Sequence, residues 1–303
     1  MHSKFRVLYL TFVLFLATNI AVISAPAKQA KKPAPAKAAA PAKAPADADA
    51  RALLSKLVAN VKSLDSYKFK AYLEGYDTFS KDRQKDIAGG YKNLAEKTGT
   101  DVKIAEKPQM KRGLYEAKFM KPYLTQMKII KSDFVPKILL GTIITYRSDK
   151  DPDVWWAKPK ISPVAIKRSI VKDDSAGATT MNWNKIMIQM IYYGSNADLS
   201  LQPEVDFDGH KCYVLRFSFD WTKRPVWNHK QPPIKDFGMP VQINDIIWGE
   251  MIKIEKQKFS SIDYFIDKER MVPLKIEESI DGEFFWRTMF KDVEIGGLKE
   301  SDF

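Results

Sequence analysis

The stretch from Ile262 to Ile295 reads IDYFIDKERMVPLKIEESIDGEFFWRTMFKDVEI, and it decides the fold class. Two charged turns divide it into three runs. In the middle run, Val272, Leu274 and Ile276 alternate with other residues, as on a β-strand with one buried face. The second turn is Asp281-Gly282, a strong hairpin signal because a type I′ turn needs a positive φ at both central residues. The stretch therefore predicts an antiparallel meander.

Further strand patterns lie upstream of this meander. In KCYVLRFSFDW, residues 211–221, a face of Tyr213, Leu215, Phe217, Phe219 and Trp221 alternates with a second face, and the Asp208-Gly209 hairpin turn precedes it. Shorter β-prone runs cover residues 67–73, 115–119, 123–130, 142–147 and 154–157. The Trp155-Trp156 pair in the last run, followed by two prolines, predicts an edge strand that buries one of the two rings. A large antiparallel sheet is expected.

Two helices interrupt the strand patterns. Leu54, Leu57, Val58, Val61 and Leu64 form one helical stripe, with Asp49 as the predicted cap. A second helix covers residues 183–193, with Thr180 or Asn182 as cap and Gly194 as its end. Its Met-rich face is typical of an ordinary core, but an adaptable lid facing lipid or peptide uses the same composition. The predicted fold class is α+β.

The N-terminal residues predict export from the cytoplasm. Lys4 and Arg6 precede an uncharged run to Ala25, which indicates a signal peptide over residues 1–25 or, alternatively, an uncleaved anchor. Residues 26–50 are almost wholly Ala, Pro and Lys and predict a disordered spacer. Residues 51–303 are then a single domain. Within it, the polar segment 80–111 is either a solvated insertion or a partner-binding loop.

Charge and cysteine usage exclude several classes of protein. The net charge is +12, but the signal contributes +2 and the spacer +3, which leaves only about +7 for residues 51–303. Because no glycine-rich or zinc-knuckle element accompanies this charge, we expect no nucleic acid partner. The basic spacer could still contact a membrane surface, wall polymer or envelope protein. Cys212 is the only cysteine, so no intramolecular disulfide can form.

Residues suited to catalysis are few. Asp206, Asp208 and His210 have a spacing that could bind a metal ion, although an acidic hairpin turn explains them equally well. Cys212 lies inside a strand and lacks the helix N-terminus that stabilises a thiolate. Adjacent acids such as Glu277-Glu278 point to opposite faces of a strand. We therefore expect a non-enzymatic binding protein without a cofactor or metal. A metal-dependent hydrolase is the least favoured alternative.

The apolar faces of the sheet and of the second helix form the predicted ligand-binding site. Physically, this face is either filled by its own side chains or leaves a cavity for an apolar ligand. The candidate contact residues are Phe69, Tyr213, Leu215, Phe217, Phe219, Tyr264, Leu274, Ile276, Phe284 and Trp286 on the sheet, with Met187 and Met190 on the helix.

The C-terminal motifs also resemble a known family. Ile266-Asp267-Lys268, then Val272-Pro273-Leu274-Lys275-Ile276, then Phe290-Lys291-Asp292-Val293 are similar to a recurrent pattern of the LolA-like superfamily of outer-membrane lipoprotein-sorting and related periplasmic proteins. The resemblance implies an unclosed, strongly curved antiparallel half-barrel with helices on its concave face and lipid or acyl chains in the gap. We thus expect an extracytoplasmic carrier of a lipid, an acylated protein or another apolar ligand. The alternative is an interaction module of the cell envelope.

Overall fold

A computed structural model describes residues 47–76, 109–170, 181–222, 234–240, 243, 247 and 258–303. The predicted signal peptide, residues 26–46 of the predicted spacer and most of the polar segment 80–111 lie outside these ranges. Residue 180, one of the two predicted helix caps, lies outside them as well.

The described residues contain eleven strands that form one antiparallel sheet in the order β6-β5-β4-β3-β2-β1-β11-β10-β9-β8-β7. Since β6 and β7 have no common ladder, the sheet is unclosed, and it is curved as expected for a half-barrel. The strand bounds are β1 Ser66–Tyr76, β2 Met110–Met120, β3 Leu124–Ser132, β4 Ile143–Arg147, β5 Val154–Lys158, β6 Ile166–Ser169, β7 Asp198–Phe207, β8 His210–Ser218, β9 Ser261–Asp267, β10 Pro273–Ile280 and β11 Glu283–Ile295.

The predicted C-terminal meander is confirmed as β9, β10 and β11. Asp281 and Gly282 have φ angles of 52° and 80°, as the type I′ turn requires. Strand β11 continues the sheet by pairing with β1, from Tyr67 opposite Ile295 to Gly75 opposite Trp286. The two ends of the folded chain therefore meet in the middle of the sheet.

Two strand predictions need correction at the sheet edges. The Trp155-Trp156 strand, β5, is not an edge strand, because the short β6 pairs with its outer side. The expected burial of one ring is confirmed, since Trp155 is fully buried and Trp156 is half-buried. The other edge is β7, which the sequence patterns did not identify; it contains Pro203 and a bulge between Gln202 and Val205.

Helix α1, Asp47–Ser63, covers one side of the sheet. Its residues from Asp47 to Ala50 belong to the predicted spacer, and Asp49 lies in the first turn instead of at the cap. Its buried residues are Ala50, Leu53, Leu57 and Val61. The helix packs on β7 and on the second helix. Asn60 fixes its other end by donating to the carbonyls of Arg270 and Met271 in the β9–β10 turn.

Helix α2, Trp183–Gly194, confirms the second predicted helix and its cap at Asn182. Gly194 allows α1 to approach closely, since a Cβ at this position would lie 3.1 Å from Leu54 Cδ2. Arg51 also donates to the Gly194 carbonyl at 3.1 Å. Short 3-10 helices cover Lys137–Leu139, Ile234–Phe237 and Glu300–Asp302.

Strand β8 is buried on both faces along part of its length. Leu215 and Phe217 are buried as predicted, but Cys212 and Val214 on the opposite face are also buried. Val214 lies opposite Phe265 of β9, whose ring contacts Phe207 at a centroid distance of 6.3 Å. Apolar side chains are therefore buried on both faces of the sheet at this point.

Candidate functional site

Three hydrogen bonds fix the N-terminus of α2: one caps the helix, and two join it to buried tyrosines outside it. Asn182 caps the helix by accepting from the Lys185 amide at 3.1 Å, and its Nδ2 donates to the Tyr123 hydroxyl at 2.8 Å. The Trp183 amide donates to the Tyr67 hydroxyl at 2.9 Å. Both tyrosines are fully buried. Burial, the largest effect, raises the pKa of Tyr67 well above its ordinary value, so the hydroxyl stays neutral.

An aromatic cluster continues from these hydrogen bonds into the concave face. The Trp183 ring stacks on Tyr67 and Phe69 at centroid distances of 4.5 and 5.3 Å. Phe69 in turn meets Phe290 of β11 edge-on at 4.9 Å. The helix thus begins directly over the junction of β1 and β11.

The other end of α2 lies over β8. Tyr193 contacts Phe217 and Phe219 with centroid distances of 6.4 and 5.8 Å. Between the two ends, Met187 and Met190 are completely buried. Helix α2 therefore spans the concave face from β1 to β8 and covers it with its Met-rich side.

Nine of the twelve predicted contact residues belong to this core. Each is at most 9% exposed: Phe69, Met187, Met190, Leu215, Phe217, Phe219, Tyr264, Leu274 and Ile276. All nine belong to the hydrophobic core of the described residues. Their role as ligand contacts stays a prediction, because protein atoms surround them in this conformation.

The other three predicted residues are only half-buried. Lys268 Nζ lies 4.7 Å from the centre of the Tyr213 ring. Trp286 contacts Phe134 at 5.2 Å. The alternation predicted Phe284 inside, but its neighbour Phe285 is the buried one and contacts Phe259 at 5.4 Å. A bulge between Glu278 and Ser279 of β10 shifts the register at this end of the hairpin.

The prediction missed a row of residues on the concave face. Strand registers place Tyr67, Phe119, Thr125, Tyr146 and Trp155 directly opposite one another across β1 to β5. Residues in register point to the same side of a sheet, so this row continues the surface on which Trp183 stacks. The alternation around Tyr67 and the tryptophan doublet were visible in the sequence, but their strand neighbours were not.

Two buried indole nitrogens stand out within this apolar surface. Trp155 Nε1 and Trp183 Nε1 have no hydrogen-bond acceptor among the described parts of the chain, although both side chains are fully buried. An unpaired buried donor costs about 1–3 kcal/mol. The concave face therefore holds two donors that an acceptor on a ligand would satisfy.

A polar cavity of about 290 Å³ lies at the turns between β7 and β8 and between β9 and β10. Arg270 lines this cavity and pairs with Asp267, whose side chain is 2% exposed. Burial raises the pKa of this carboxyl, but hydrogen bonds from Arg270 Nε at 2.5 Å and from the Glu269 and Arg270 amides outweigh that effect. The pKa of Asp267 consequently lies below its ordinary value. The cluster stabilises the turn.

The three candidate metal ligands have different partners. Asp208 Oδ1 lies 3.3 Å from Lys291 Nζ, and His210 Nδ1 lies 3.4 Å from the Asp267 carboxylate. Asp206 is exposed and lies opposite Lys211 in the hairpin. Within the described ranges, no three His, Cys, Asp or Glu side chains are grouped as metal ligands would be. Asp208 and His210 thus take part in contacts that join the two turns and β11.

Cys212 lies beneath these turns and is fully buried. Burial, followed by the nearby Asp267 and Asp206 carboxylates, raises the pKa of its thiol to about 11. A neutral buried thiol is a poor nucleophile.

Among the residues that the structure describes, none of the helices has the length and apolar character needed to cross a bilayer.

Comparison with known proteins identifies similar structures but no matching sequences. No protein family model matches the chain, and no curated protein matches it either. Lipoprotein LppX of Mycobacterium tuberculosis is 8% identical, with 84% of this chain and 99% of that chain covered and a TM-score of 0.41. The MucA/MucB complex of Pseudomonas aeruginosa gives 10% identity, 84% and 59% coverage and a TM-score of 0.37.

A third similar structure is a LolA superfamily protein of Nitrosomonas europaea. It is 10% identical, with 84% of this chain and 96% of that chain covered and a TM-score of 0.30. The structural neighbours of this chain thus include the superfamily that its C-terminal motifs resemble.

Proposed function

We propose that the protein is an exported, non-enzymatic carrier that holds a lipid, a lipoprotein acyl chain or another apolar ligand between its curved sheet and helix α2. The observation that carries the proposal is the pair of buried indole donors, Trp155 Nε1 and Trp183 Nε1, on an otherwise apolar surface. Export rests on the signal-like residues 1–25, and the spacer would separate the carrier domain from the envelope component to which it is tethered.

The chemistry of this surface selects the ligand class. An acyl chain would replace contacts among Phe69, Met187 and Met190, and each Å² of apolar surface that it buries contributes about 25 cal/mol before ordering costs. An ester or carboxyl oxygen on the ligand would accept from an indole N–H and remove the cost of an unpaired donor. The proposed ligand is therefore an amphiphile with an oxygen acceptor next to its apolar chain.

Ligand entry requires helix α2 to move away from the sheet. Most of the contacts that hold it are apolar, and methionine side chains repack readily around ligands of different shape. The polar attachment is concentrated at its N-terminus, in the Asn182–Tyr123 and Trp183–Tyr67 hydrogen bonds. We therefore propose that α2 acts as the lid and pivots about this attachment.

Native mass spectrometry of the protein purified without detergent tests the proposal. A bound mass that extracts as lipid is the expected result, and a fluorescent fatty acid should bind the delipidated protein. Trp183→Phe and Trp155→Phe keep an aromatic ring but remove the N–H, so each should weaken probe binding about twofold to tenfold.

Trp156→Phe is the matched control, because Trp156 lies on the same strand as Trp155 but on the opposite face. It should leave probe binding unchanged. The carrier function would be ruled out if the purified protein carries no lipid and takes up no fatty acid probe. If all three tryptophan variants bind the probe equally well, the indole donors do not contact the ligand, although the protein would still be a carrier.

A further inference from the structure

Two connections at one end of the sheet form a continuous surface. Residues 133–142 join β3 to β4, and residues 159–165 join β5 to β6, so both lie at the same end of an antiparallel sheet. They touch each other: a Cβ on Gly141 would lie 2.9 Å from Lys160 Cδ and 3.1 Å from Lys160 Cβ. We call residues 134–141 and 158–168 together the lysine patch.

The lysine patch exposes aliphatic side chains. Val164, Ile161 and Ile138 are 67%, 59% and 46% exposed, which makes them the three most exposed large hydrophobic residues in the described parts of the chain. Scattered exposed apolar residues need no explanation, but these three project from two touching connections. Their grouping indicates a surface that binds something apolar.

The same patch carries only positive charge. It contains Lys137, Lys158, Lys160, Lys167 and Arg168 and no acidic residue, although Lys167 pairs with Asp151 at 3.1 Å and the exposed Asp133 directly precedes the patch. Lys137, Lys158 and Lys160 are exposed, and no carboxylate of the described residues forms an ion pair with them. Several lysines elsewhere on the sheet have a carboxylate partner, as in the Lys70–Asp292 pair at 2.7 Å and the Lys268–Glu204 pair at 2.6 Å.

Both connections are held in place by internal contacts. Leu139 is buried next to exposed Ile138, and the Gly141 amide donates to the Ile129 carbonyl at 2.7 Å. Ser162 Oγ accepts from the Val164 amide at 3.2 Å, and the Ser162 amide donates to the Pro159 carbonyl at 3.0 Å. The aliphatic side chains are thus presented on ordered backbone, which reduces the entropy lost on binding.

We infer that the lysine patch docks the protein on an anionic phospholipid surface. Ile138, Ile161 and Val164 insert at the boundary between headgroups and acyl chains, while the lysines contact lipid phosphates around them. Lys137, Lys158 and Lys160, which have no carboxylate partner among the described residues, match a uniformly anionic surface better than a protein face of mixed charge. The inference does not depend on the proposed carrier function, because none of these residues belongs to the core under α2.

Vesicle flotation of the full chain tests this inference. Binding is compared between vesicles of phosphatidylcholine alone and vesicles that contain phosphatidylglycerol as well. We expect binding to the anionic vesicles and a loss of binding as salt is raised. Lys158→Gln with Lys160→Gln should weaken it about 25-fold, at about fivefold for each lysine. Ile161→Ser with Val164→Ser should weaken it at least tenfold.

Matched controls change similar side chains elsewhere. Ile295→Ser alters an aliphatic side chain that is 42% exposed on β11. Lys56→Gln with Lys211→Gln removes two exposed charges on α1 and β8. These controls should bind like the wild type, and any contribution from the seven cations of residues 1–46 is common to all variants. Failure of the wild type to bind, or equal binding by patch and control variants, would overturn the inference.

Discussion

The indole ring of Trp286 on β11 covers Gly75, its register partner on β1. A Cβ on Gly75 would lie 2.2 Å from Trp286 Cε3, closer than any real contact. The glycine thus provides space for the ring, and the ring covers backbone that a glycine leaves open to water. Trp286, a predicted ligand contact, thereby has a structural role at the junction of the two halves of the sheet.

Gly75→Ala should destabilise the protein by about 1–3 kcal/mol, because the added methyl group must displace the indole ring. The cost should largely disappear in a Trp286→Ala background, where the ring is absent. A double-mutant cycle measured by urea denaturation checks the coupling. Additive effects of the two substitutions would mean that ring and glycine do not interact.

Tyr67→Phe should destabilise the protein by about 1–3 kcal/mol, because the buried Trp183 amide loses its acceptor. Tyr76→Phe is the control at an exposed position of the same strand and should have no measurable effect. Thermal unfolding of both variants gives the comparison. Equal stability of Tyr67→Phe and the wild type would show that the amide finds another partner.

Asp267→Asn should destabilise the protein by about 3 kcal/mol at pH 7, because Arg270 loses the buried carboxylate that pairs with it. Since the folded pKa of Asp267 lies below its ordinary value of 3.8, the wild type keeps this stabilisation above about pH 4 and loses it as the pH falls further. Urea denaturation from pH 7 to pH 3 should show the variant and the wild type converging in acid.

Asp65→Asn is the control for the loss of a carboxylate, because Asp65 pairs with Lys121 but is 89% exposed. Exposed pairs contribute little, so this variant should follow the wild type at every pH. A constant stability gap between Asp267→Asn and the wild type down to pH 3 would contradict the pKa shift of Asp267.

Cys212 should not react with Ellman's reagent in the folded protein at pH 8, because its pKa is about 11 and its side chain is fully buried. It should react fully in guanidinium chloride, where the thiol is exposed. Absorbance at 412 nm, about the maximum of the released product, follows both reactions. Rapid reaction of Cys212 in the folded protein would contradict this prediction, because it would mean that the thiol is accessible.

The alternation of apolar and polar residues made much of the sheet predictable, because every second residue of a half-buried strand is apolar. The same argument explains the failure at β7. Its residues 202–206 are Gln, Pro, Glu, Val and Asp, and the bulge between Gln202 and Val205 breaks the alternation. An edge strand has fewer neighbours to bury it, so its sequence carries a weaker pattern.

Burial of most of the candidate residues was predictable from single elements, but their arrangement was not. The burial of Met187, Leu215 and Tyr264 follows from local patterns, whereas the row from Tyr67 to Trp155 depends on the registers of five strands. Strand register is set by turns and bulges, such as the one that buries Phe285 instead of Phe284. A pattern on one strand carries no information about these registers.

The unclosed sheet has a consequence for self-association. Among the described strands, the outer sides of β6 and β7 pair with no further strand, and such edges offer amides and carbonyls to which another copy of the chain could add a strand. On β7, Pro203 removes one donor, the bulge interrupts the ladder, and Asp198, Glu204 and Asp206 are exposed charges. On β6 only four residues are available, and two of them are Lys167 and Arg168. The half-barrel can therefore stay open without becoming a template for edge-to-edge aggregation.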